Sequence, residues 1–250
     1  MTYTITPLPA LSDNYIWLIA SRGRAVCIDP GAAEPVLEYL AARRLTLDHI
    51  WITHAHGDHT AGIAKLLAAF PQCRVSGGSD IAAADDTVGE GSLIVWQGFT
   101  AEVWHTPGHT AGHLCYLFDR RRHVFTGDTL FSAGCGRVFP DSRPEWLYAS
   151  LTRLAALPDS ALLYPAHEYT AANLRFAEHI EPQNADIRRA AAELTVPSLP
   201  VSLAHEKRVN PFLRSHLPAV QARTAELSGC PAGNAESAFV LLRELKNRRK

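Results

Sequence analysis

The sequence lacks a long hydrophobic run, a signal-like start and an excess of charge of either sign. No apolar segment approaches the roughly 18 consecutive residues that a membrane helix needs. The first residues, Met1 to Thr6, have neither the basic nor the apolar stretch that is typical of a secretory signal. The formal net charge of -1 gives no general reason to expect nucleic acid or an acidic membrane as a partner. We therefore expect a cytoplasmic protein that binds neither.

Paired cysteines are also absent. The 5 cysteines are scattered along the chain, and no two of them stand in a Cys-x-x-Cys arrangement. An odd, dispersed set of this kind predicts reduced thiols, as in a cytosolic protein. We expect Cys27 and Cys115, which stand in apolar strand-like runs, to be small core residues.

The pattern of hydrophobic residues changes near Thr170. Before it, strand-like and helix-like segments alternate, whereas only helix-like segments follow it. We predict an α/β domain over residues 1–169 and a helical domain over residues 170–250. Within the second domain, helices are predicted at 173–179, 185–194, 219–227 and 235–247, with a proline-containing loop at 196–200.

Four potential metal ligands follow directly after an apolar strand: His54, His56, Asp58 and His59. Imidazole nitrogen and carboxylate oxygen both bind zinc, iron or manganese. The first three ligands alternate while His59 follows Asp58 at once, so no regular strand or helix directs all four the same way. We predict that they divide between two neighbouring metal ions. A histidine-rich surface turn is the alternative, and the buried strand around Ile50–Ile52 disfavours it.

Three later loops each supply one more candidate ligand just after a strand, namely His109, Asp128 and His167. A glycine precedes both His109 and Asp128, which permits a sharp turn. Two metals sharing these ligands would need one bridging group, and a carboxylate such as Asp128 can bridge. Of the 12 histidines, the remaining seven are expected to be ordinary hydrogen-bonded residues.

The order of these ligands resembles that of the metallo-β-lactamase superfamily. Four further motifs are present, namely Asp13-Asn14-Tyr15-Ile16-Trp17, the segment from Gly127 to Arg137, Pro165-Ala166-His167-Glu168-Tyr169-Thr170 and Asn210-Pro211-Phe212-Leu213-Arg214. In these motifs the chain is similar to the glyoxalase II, or hydroxyacylglutathione hydrolase, family of that superfamily, and the likeness covers almost its whole length. The resemblance implies an αββα metallo-β-lactamase-type sandwich with a C-terminal helical domain.

The resemblance also implies how the ligands are shared between two divalent metal ions per chain. Zinc is the expected metal, with iron or manganese as alternatives, because all three accept histidine and aspartate ligands. The first metal would take His54, His56 and His109, the second would take Asp58, His59 and His167, and Asp128 would bridge them.

Glutathione contacts are implied for Arg137, Tyr169, Asn173 and Arg214. The chain departs from the family pattern at two further positions. Phe139, which is also among the implied contacts, stands where a tyrosine is often found, which removes one hydroxyl contact. Many members have a lysine shortly after the equivalent of Arg214, whereas this chain has Ser215-His216-Leu217.

The implied activity is hydrolysis of the thioester of S-(2-hydroxyacyl)glutathione, chiefly S-D-lactoylglutathione, to glutathione and D-lactate in methylglyoxal detoxification. A metal-bridging hydroxide would attack the carbonyl, and Asp58 would orient it. A monomer acting on this small-molecule substrate is expected.

Two other activities of the same fold stay open, a lactonase and a persulfide dioxygenase with a single iron. A β-lactamase is disfavoured, because Asp128 stands where those enzymes commonly have a cysteine ligand.

Overall fold

The computed structural model describes residues 2–248, which divide into two compact units. Unit 1 combines the chain up to His105 with Gly112–Gly127, and unit 2 combines Thr106–Ala111 with the chain from Asp128 onward. The outer ends of the two predicted domains, Met1 and residues 249–250, lie outside the described residues. The predicted boundary between residues 169 and 170 stays a prediction.

Unit 1 contains a mixed sheet of six strands that lie side by side in chain order. The first three strands are antiparallel, and the third to the sixth are parallel. The central strands are buried on both faces, as the continuous apolar run Tyr15–Ile19 requires. The elements are β1 (Thr4–Ala10), β2 (Asn14–Ser21), β3 (Arg24–Ile28), α1 (Glu34–Arg43), β4 (Thr46–Trp51), α2 (Gly57–Thr60), α3 (Ile63–Ala69), β5 (Arg74–Gly77) and β6 (Asp86–Thr87).

Four antiparallel strands of unit 1 belong to a second sheet: β7 (Leu93–Trp96), β8 (Phe99–His105), β9 (Leu114–Phe118) and β10 (His123–Gly127). They pack on the first sheet through aromatic side chains. The rings of Trp51 and Tyr116 stack with centroids 5.4 Å apart, and the Tyr116 hydroxyl donates to the Ile52 carbonyl at 2.7 Å. The Leu114 amide donates to the Thr53 carbonyl at 2.8 Å, so the second sheet also fixes the loop that follows β4.

Unit 2 is mainly helical. Its core includes an aromatic cluster of Phe176, Phe212 and Phe239 and an apolar cluster around Leu174 and Ile187. Its elements are β11 (Leu130–Phe131), β12 (Gly134–Cys135), α4 (Pro144–Ala155), β13 (Leu162–Pro165), α5 (Thr170–Ile180), α6 (Ala185–Ala192), β14 (Val201–Ser202), α7 (Leu203–Val209), α8 (Pro218–Ser228) and α9 (Ala235–Arg248). The four predicted helices and the loop at 196–200 are confirmed.

Helix α7 was not predicted, and its buried face explains why. Leu203, Glu206 and Val209 are the residues that it buries, so a glutamate occupies a position where the helical pattern calls for an apolar side chain. Ser202 caps the helix by accepting a hydrogen bond from the His205 amide at 3.2 Å. Among residues 2–248, no helix combines the length and apolar character needed to cross a membrane.

Glu206 is fully buried, and burial raises the pKa of its carboxyl from 4.5 to about 7, against the opposing effect of hydrogen bonds from Asn210, Ala133 and Ser132. An acid whose pKa is higher in the folded than in the unfolded chain binds its proton more tightly when folded. Its contribution to stability is therefore greatest below pH 4.5 and is lost as the pH rises to about 7.

We expect Glu206→Gln to stabilise the chain relative to the wild type at pH 8, by at most about 3 kcal/mol, and to lose this advantage at low pH. The amide has the shape of the protonated acid and never ionises. The free energy of unfolding, measured by urea titration of both proteins at pH 5 and pH 8, checks this. A stability difference that is the same at both pH values would contradict it.

Candidate metal centre

The four clustered ligands of unit 1 lie in the segment that joins β4 to α2. His54 and His59 are buried, whereas His56 and Asp58 are partly exposed. Ligand atoms of His54 lie within 4.8 Å of those of His56 and of His59, and those of Asp58 lie within 4.8 Å of those of His59. The turn into α2 thus brings His59 close to the other ligands, although no regular strand or helix would direct all four side chains the same way.

The donor atoms of this cluster suit a bound cation. The Nε2 atom of His54 and the Nδ1 atom of His56 are 2.9 Å apart, and Nε2 of His59 is 3.4 Å from a carboxylate oxygen of Asp58. Zinc binds imidazole nitrogen at about 2.0–2.1 Å, so neighbouring ligand atoms of one ion lie roughly 3–3.5 Å apart. Two imidazole lone pairs that face each other repel unless a proton or a cation lies between them.

A carboxylate that the sequence analysis did not select, Asp29, orients two of these imidazoles. It accepts hydrogen bonds from the Thr53 amide at 2.8 Å and the Thr53 hydroxyl at 2.7 Å, and it lies 3.1 Å from Nδ1 of His59. The Thr53 hydroxyl is in turn 3.0 Å from Nδ1 of His54. With a proton on each of these Nδ1 atoms, both Nε2 atoms offer a lone pair, as coordination of a metal through Nε2 requires.

Asn14 explains why the motif near the start of the chain accompanies the ligands. Its side-chain amide donates to the Asp58 carboxylate at 3.1 Å and to the Asp58 carbonyl at 3.3 Å. Gly31 also approaches Asp58 closely, because a Cβ atom at that position would lie 1.9 Å from the Asp58 carbonyl oxygen. The backbone and the side chain of Asp58 are therefore both fixed.

Unit 2 contains the other three candidate ligands, all of them buried. The two oxygens of the Asp128 carboxylate face different imidazoles: Oδ2 lies 3.4 Å from Nε2 of His109, and Oδ1 lies 3.4 Å from Nε2 of His167. An arrangement with one histidine at each carboxylate oxygen is the one expected of a carboxylate that bridges two ions.

The orientation of His109 depends on the chain that follows Asp128. Its Nδ1 atom donates to the Arg137 carbonyl at 2.7 Å, which leaves Nε2 directed to Asp128. Gly136 permits this approach, since a Cβ atom there would lie 2.0 Å from the Asp128 carbonyl oxygen and 3.1 Å from Nδ1 of His109. The glycine-rich motif therefore connects the two ligands physically.

The residues expected to contact glutathione have different surroundings. The ring of Tyr169 stacks on that of His167 at 4.7 Å, and Phe139 presents its ring to His109 at 5.0 Å. Asn173 is buried, and its amide donates to the Ser132 carbonyl at 2.9 Å. The remaining two expected contacts are the arginines Arg137 and Arg214.

Of the two arginines, only one is available to an incoming anion. Arg137 is exposed, and its side chain makes no hydrogen bond or ion pair within residues 2–248. Arg214 instead donates twice to the Glu181 carboxylate, at 2.8 Å each, and once to the Lys207 carbonyl.

Two cations of α9, Arg243 and Lys246, were missed by the sequence analysis. Arg243 is buried and donates to the carbonyls of Cys135 and Gly136 at 2.8 Å and 3.3 Å. Lys246 is partly buried, and burial, followed by the nearby charge of Arg243, lowers the pKa of its amine to about 8. Their spacing of three residues on one helix is the signal that could have identified them. Two adjacent, partly desolvated cations favour an anion as a ligand.

The chain matches two family models in succession. Residues 11–167 match the metallo-beta-lactamase superfamily, and residues 168–249 match the C-terminus of hydroxyacylglutathione hydrolase. It is 53% identical to a hydroxyacylglutathione hydrolase of Neisseria gonorrhoeae, over 97% of this chain and 98% of the relative. It is 44% identical to a hydroxyacylglutathione hydrolase of Aeromonas hydrophila, over 98% of this chain and 99% of the relative.

Solved structures give the same fold. ETHE1 from Myxococcus xanthus matches with a TM-score of 0.69 and 29% identity, over 98% of this chain and 90% of that one. TTHA1623, solved in a di-iron-bound form, matches with a TM-score of 0.62 and 26% identity, over 83% and 99%. The predicted metallo-β-lactamase-type fold with a C-terminal helical domain is confirmed. The chain belongs to the hydroxyacylglutathione hydrolase family of the metallo-β-lactamase superfamily.

Proposed function

We propose that the chain hydrolyses S-(2-hydroxyacyl)glutathione thioesters, chiefly S-D-lactoylglutathione, to glutathione and the 2-hydroxy acid, as a step in methylglyoxal detoxification. The observation that carries this proposal is the complete set of oriented histidine and aspartate ligands in a chain of this family. Relatives that are similar over nearly the whole length are named for this activity.

The proposed cofactor is a pair of divalent metal ions. Zinc is the expected metal, and iron stays an alternative because TTHA1623 holds two irons in this fold. The proposed division follows the family resemblance, with Asp128 as the shared ligand. The proposed ligands are His54, His56 and His109 for one ion and Asp58, His59 and His167 for the other.

Two divalent cations bound by these residues would acidify water and polarise the thioester carbonyl. We assign Asp58 the task of accepting a hydrogen bond from the attacking water, because its side chain is 40% exposed and is held by Asn14. The leaving group is a thiolate, whose conjugate acid has a pKa of about 8.5, so its departure requires no acid from the chain.

The charge that recognises the carboxylates of glutathione is proposed to come from Arg137 and Lys246. The exposed guanidinium of Arg137 can bind a carboxylate in a bidentate manner, and Lys246 lies beside the buried Arg243. Tyr169, Asn173 and Phe139 stay proposed contacts of the substrate. Arg214 stays a proposed contact as well, although its pairing with Glu181 favours a structural role.

We further propose that the chain acts as a monomer in the cytoplasm. A single chain supplies both sets of ligands, and within residues 2–248 none of its cysteines takes part in a disulfide. The state of the metal-loaded protein in size-exclusion chromatography with light scattering tests the first point.

The most direct test of the activity uses the purified, metal-loaded chain with S-D-lactoylglutathione. We expect release of glutathione and D-lactate, and we expect His56→Ala to reduce kcat/KM by about 100-fold or more, because a ligand is lost. His216→Ala is the matched control, since His216 is exposed and stands outside the ligand sets. Full activity in a folded His56→Ala protein would contradict the assignment of His56 as a metal ligand.

Asp29 provides a second test, which is independent of turnover. Asp29→Asn keeps the shape but weakens the acceptor for Thr53 and His59, so we expect metal affinity to fall about 10- to 100-fold. Competition with a chromophoric chelator measures this affinity. Asp80→Asn, an exposed change in the same unit, should have no effect. Equal affinities of the Asp29 variant and the wild type would contradict the assigned role.

Lys246 should make substrate binding depend on pH. Its amine loses charge as the pH rises through about 8, so KM for S-D-lactoylglutathione should increase from pH 7 to pH 9. Lys246→Arg keeps the charge over this range and should flatten the profile, while Lys246→Met should raise KM at every pH. Lys207→Met removes a cation that already pairs with Asp159 and serves as the control. A wild-type KM that stays constant over this range would remove Lys246 from the proposed contacts.

A further inference from the structure

We propose that Glu206 is a positioning residue for the metal ligands Asp128 and His109, and that it acts through the β11–β12 hairpin. The inference rests on the proposed metal site. Glu206 lies on α7, far from both ligands in the sequence, and its side chain is fully buried.

Glu206 fixes the turn of the hairpin with both of its carboxylate oxygens. Oε1 accepts a hydrogen bond from the Ser132 hydroxyl at 3.0 Å, and Oε2 accepts one from the Ala133 amide at 2.8 Å. Ala133 has a φ of 53°, the left-handed region that a non-glycine residue rarely adopts. The buried acid therefore stabilises a turn that the residue at its tip does not favour.

Two asparagines extend the same anchorage along the hairpin. The side-chain amide of Asn210 donates to Glu206 at 3.0 Å and to the carbonyls of Phe131 and Gly134 at 3.3 Å and 3.0 Å. Asn173 donates to the Ser132 carbonyl at 2.9 Å. Three polar side chains therefore hold the hairpin, two from α7 and its C-terminal cap and one from α5, in addition to the pairing of its own two short strands.

The two ends of this hairpin reach the ligands. Asp128 stands two residues before β11, and Gly136 follows β12 in close contact with the Asp128 carbonyl and the His109 ring. The next carbonyl, that of Arg137, accepts the hydrogen bond from Nδ1 of His109. A displaced hairpin would therefore misalign both the bridging carboxylate and one imidazole.

An acid or its amide meets the hydrogen-bonding demands of this position, whereas an apolar side chain does not. Glutamine can accept from Ala133 and Asn210 through its oxygen and donate to the Ser132 hydroxyl through its nitrogen. Leucine leaves a buried amide and a buried hydroxyl without their acceptor, which is costly. A comparison of Glu206→Gln with Glu206→Leu therefore distinguishes the effect of the hydrogen bonds from the effect of side-chain size.

The test measures metal binding in the absence of substrate. Cobalt or zinc affinity is determined by chelator competition for the wild type, Glu206→Gln, Glu206→Leu and Leu203→Ala, together with the visible absorption spectrum of the cobalt forms. We expect Glu206→Leu to weaken metal binding about 10-fold or more and to alter the spectrum, and Glu206→Gln to retain both. Leu203→Ala opens a cavity beside the same helix and removes none of the hydrogen bonds to the hairpin, so it should lower stability but leave affinity and spectrum unchanged.

If Glu206→Leu does not fold, Ser132→Ala, which removes only the partner of Oε1, should still weaken metal binding measurably. Equal affinities and spectra in all folded variants would overturn the positioning role, as would an equal loss of affinity in Leu203→Ala. A wild type that binds metal but hydrolyses no thioester would overturn the proposed function instead, and the same order of affinities among the variants would still support the role of Glu206.

Discussion

The carboxylate of Asp128 is the constraint on which much of unit 2 depends. It is almost fully buried, and each of its oxygens faces an imidazole nitrogen at 3.4 Å. Such a group is costly to bury unless its charge is balanced and its geometry is held. The close approach of Gly136, the hydrogen bond from His109 to the Arg137 carbonyl and the anchorage of the hairpin at Glu206 all act to hold it.

Unit 1 follows the same principle with different residues. There, the Asp29 carboxylate faces His59 and is linked to His54 through the hydroxyl of Thr53, while Asn14 donates to Asp58. Ligands that must face a cation need a second layer of hydrogen bonds to set their tautomer and direction. Each unit thus uses buried polar groups to align its ligands, in places where an apolar core would give more stability.

Much of the fold could be predicted from the sequence, and the candidate ligands could be selected from it, because the relevant signals are local. The alternation from His54 to His59 and the regular helices of the second domain are patterns within short segments. Asp29 and Glu206 gave no such signal, since an acid after a strand or within a helix is common and its partners are distant in sequence. The motif that contains Arg214 was recognised in the sequence. Its pairing with Glu181 could not be predicted, because that pairing depends on tertiary contacts.

The central claim is that two sets of oriented ligands in one chain hold a pair of metal ions. The measurement that tests it most directly is the metal content of the purified chain after saturation with zinc and removal of loosely bound ions, determined by elemental analysis against protein concentration. The account predicts two ions per chain in the wild type, and fewer in Asp128→Asn, because the shared ligand is weakened. A single ion per wild-type chain would contradict it.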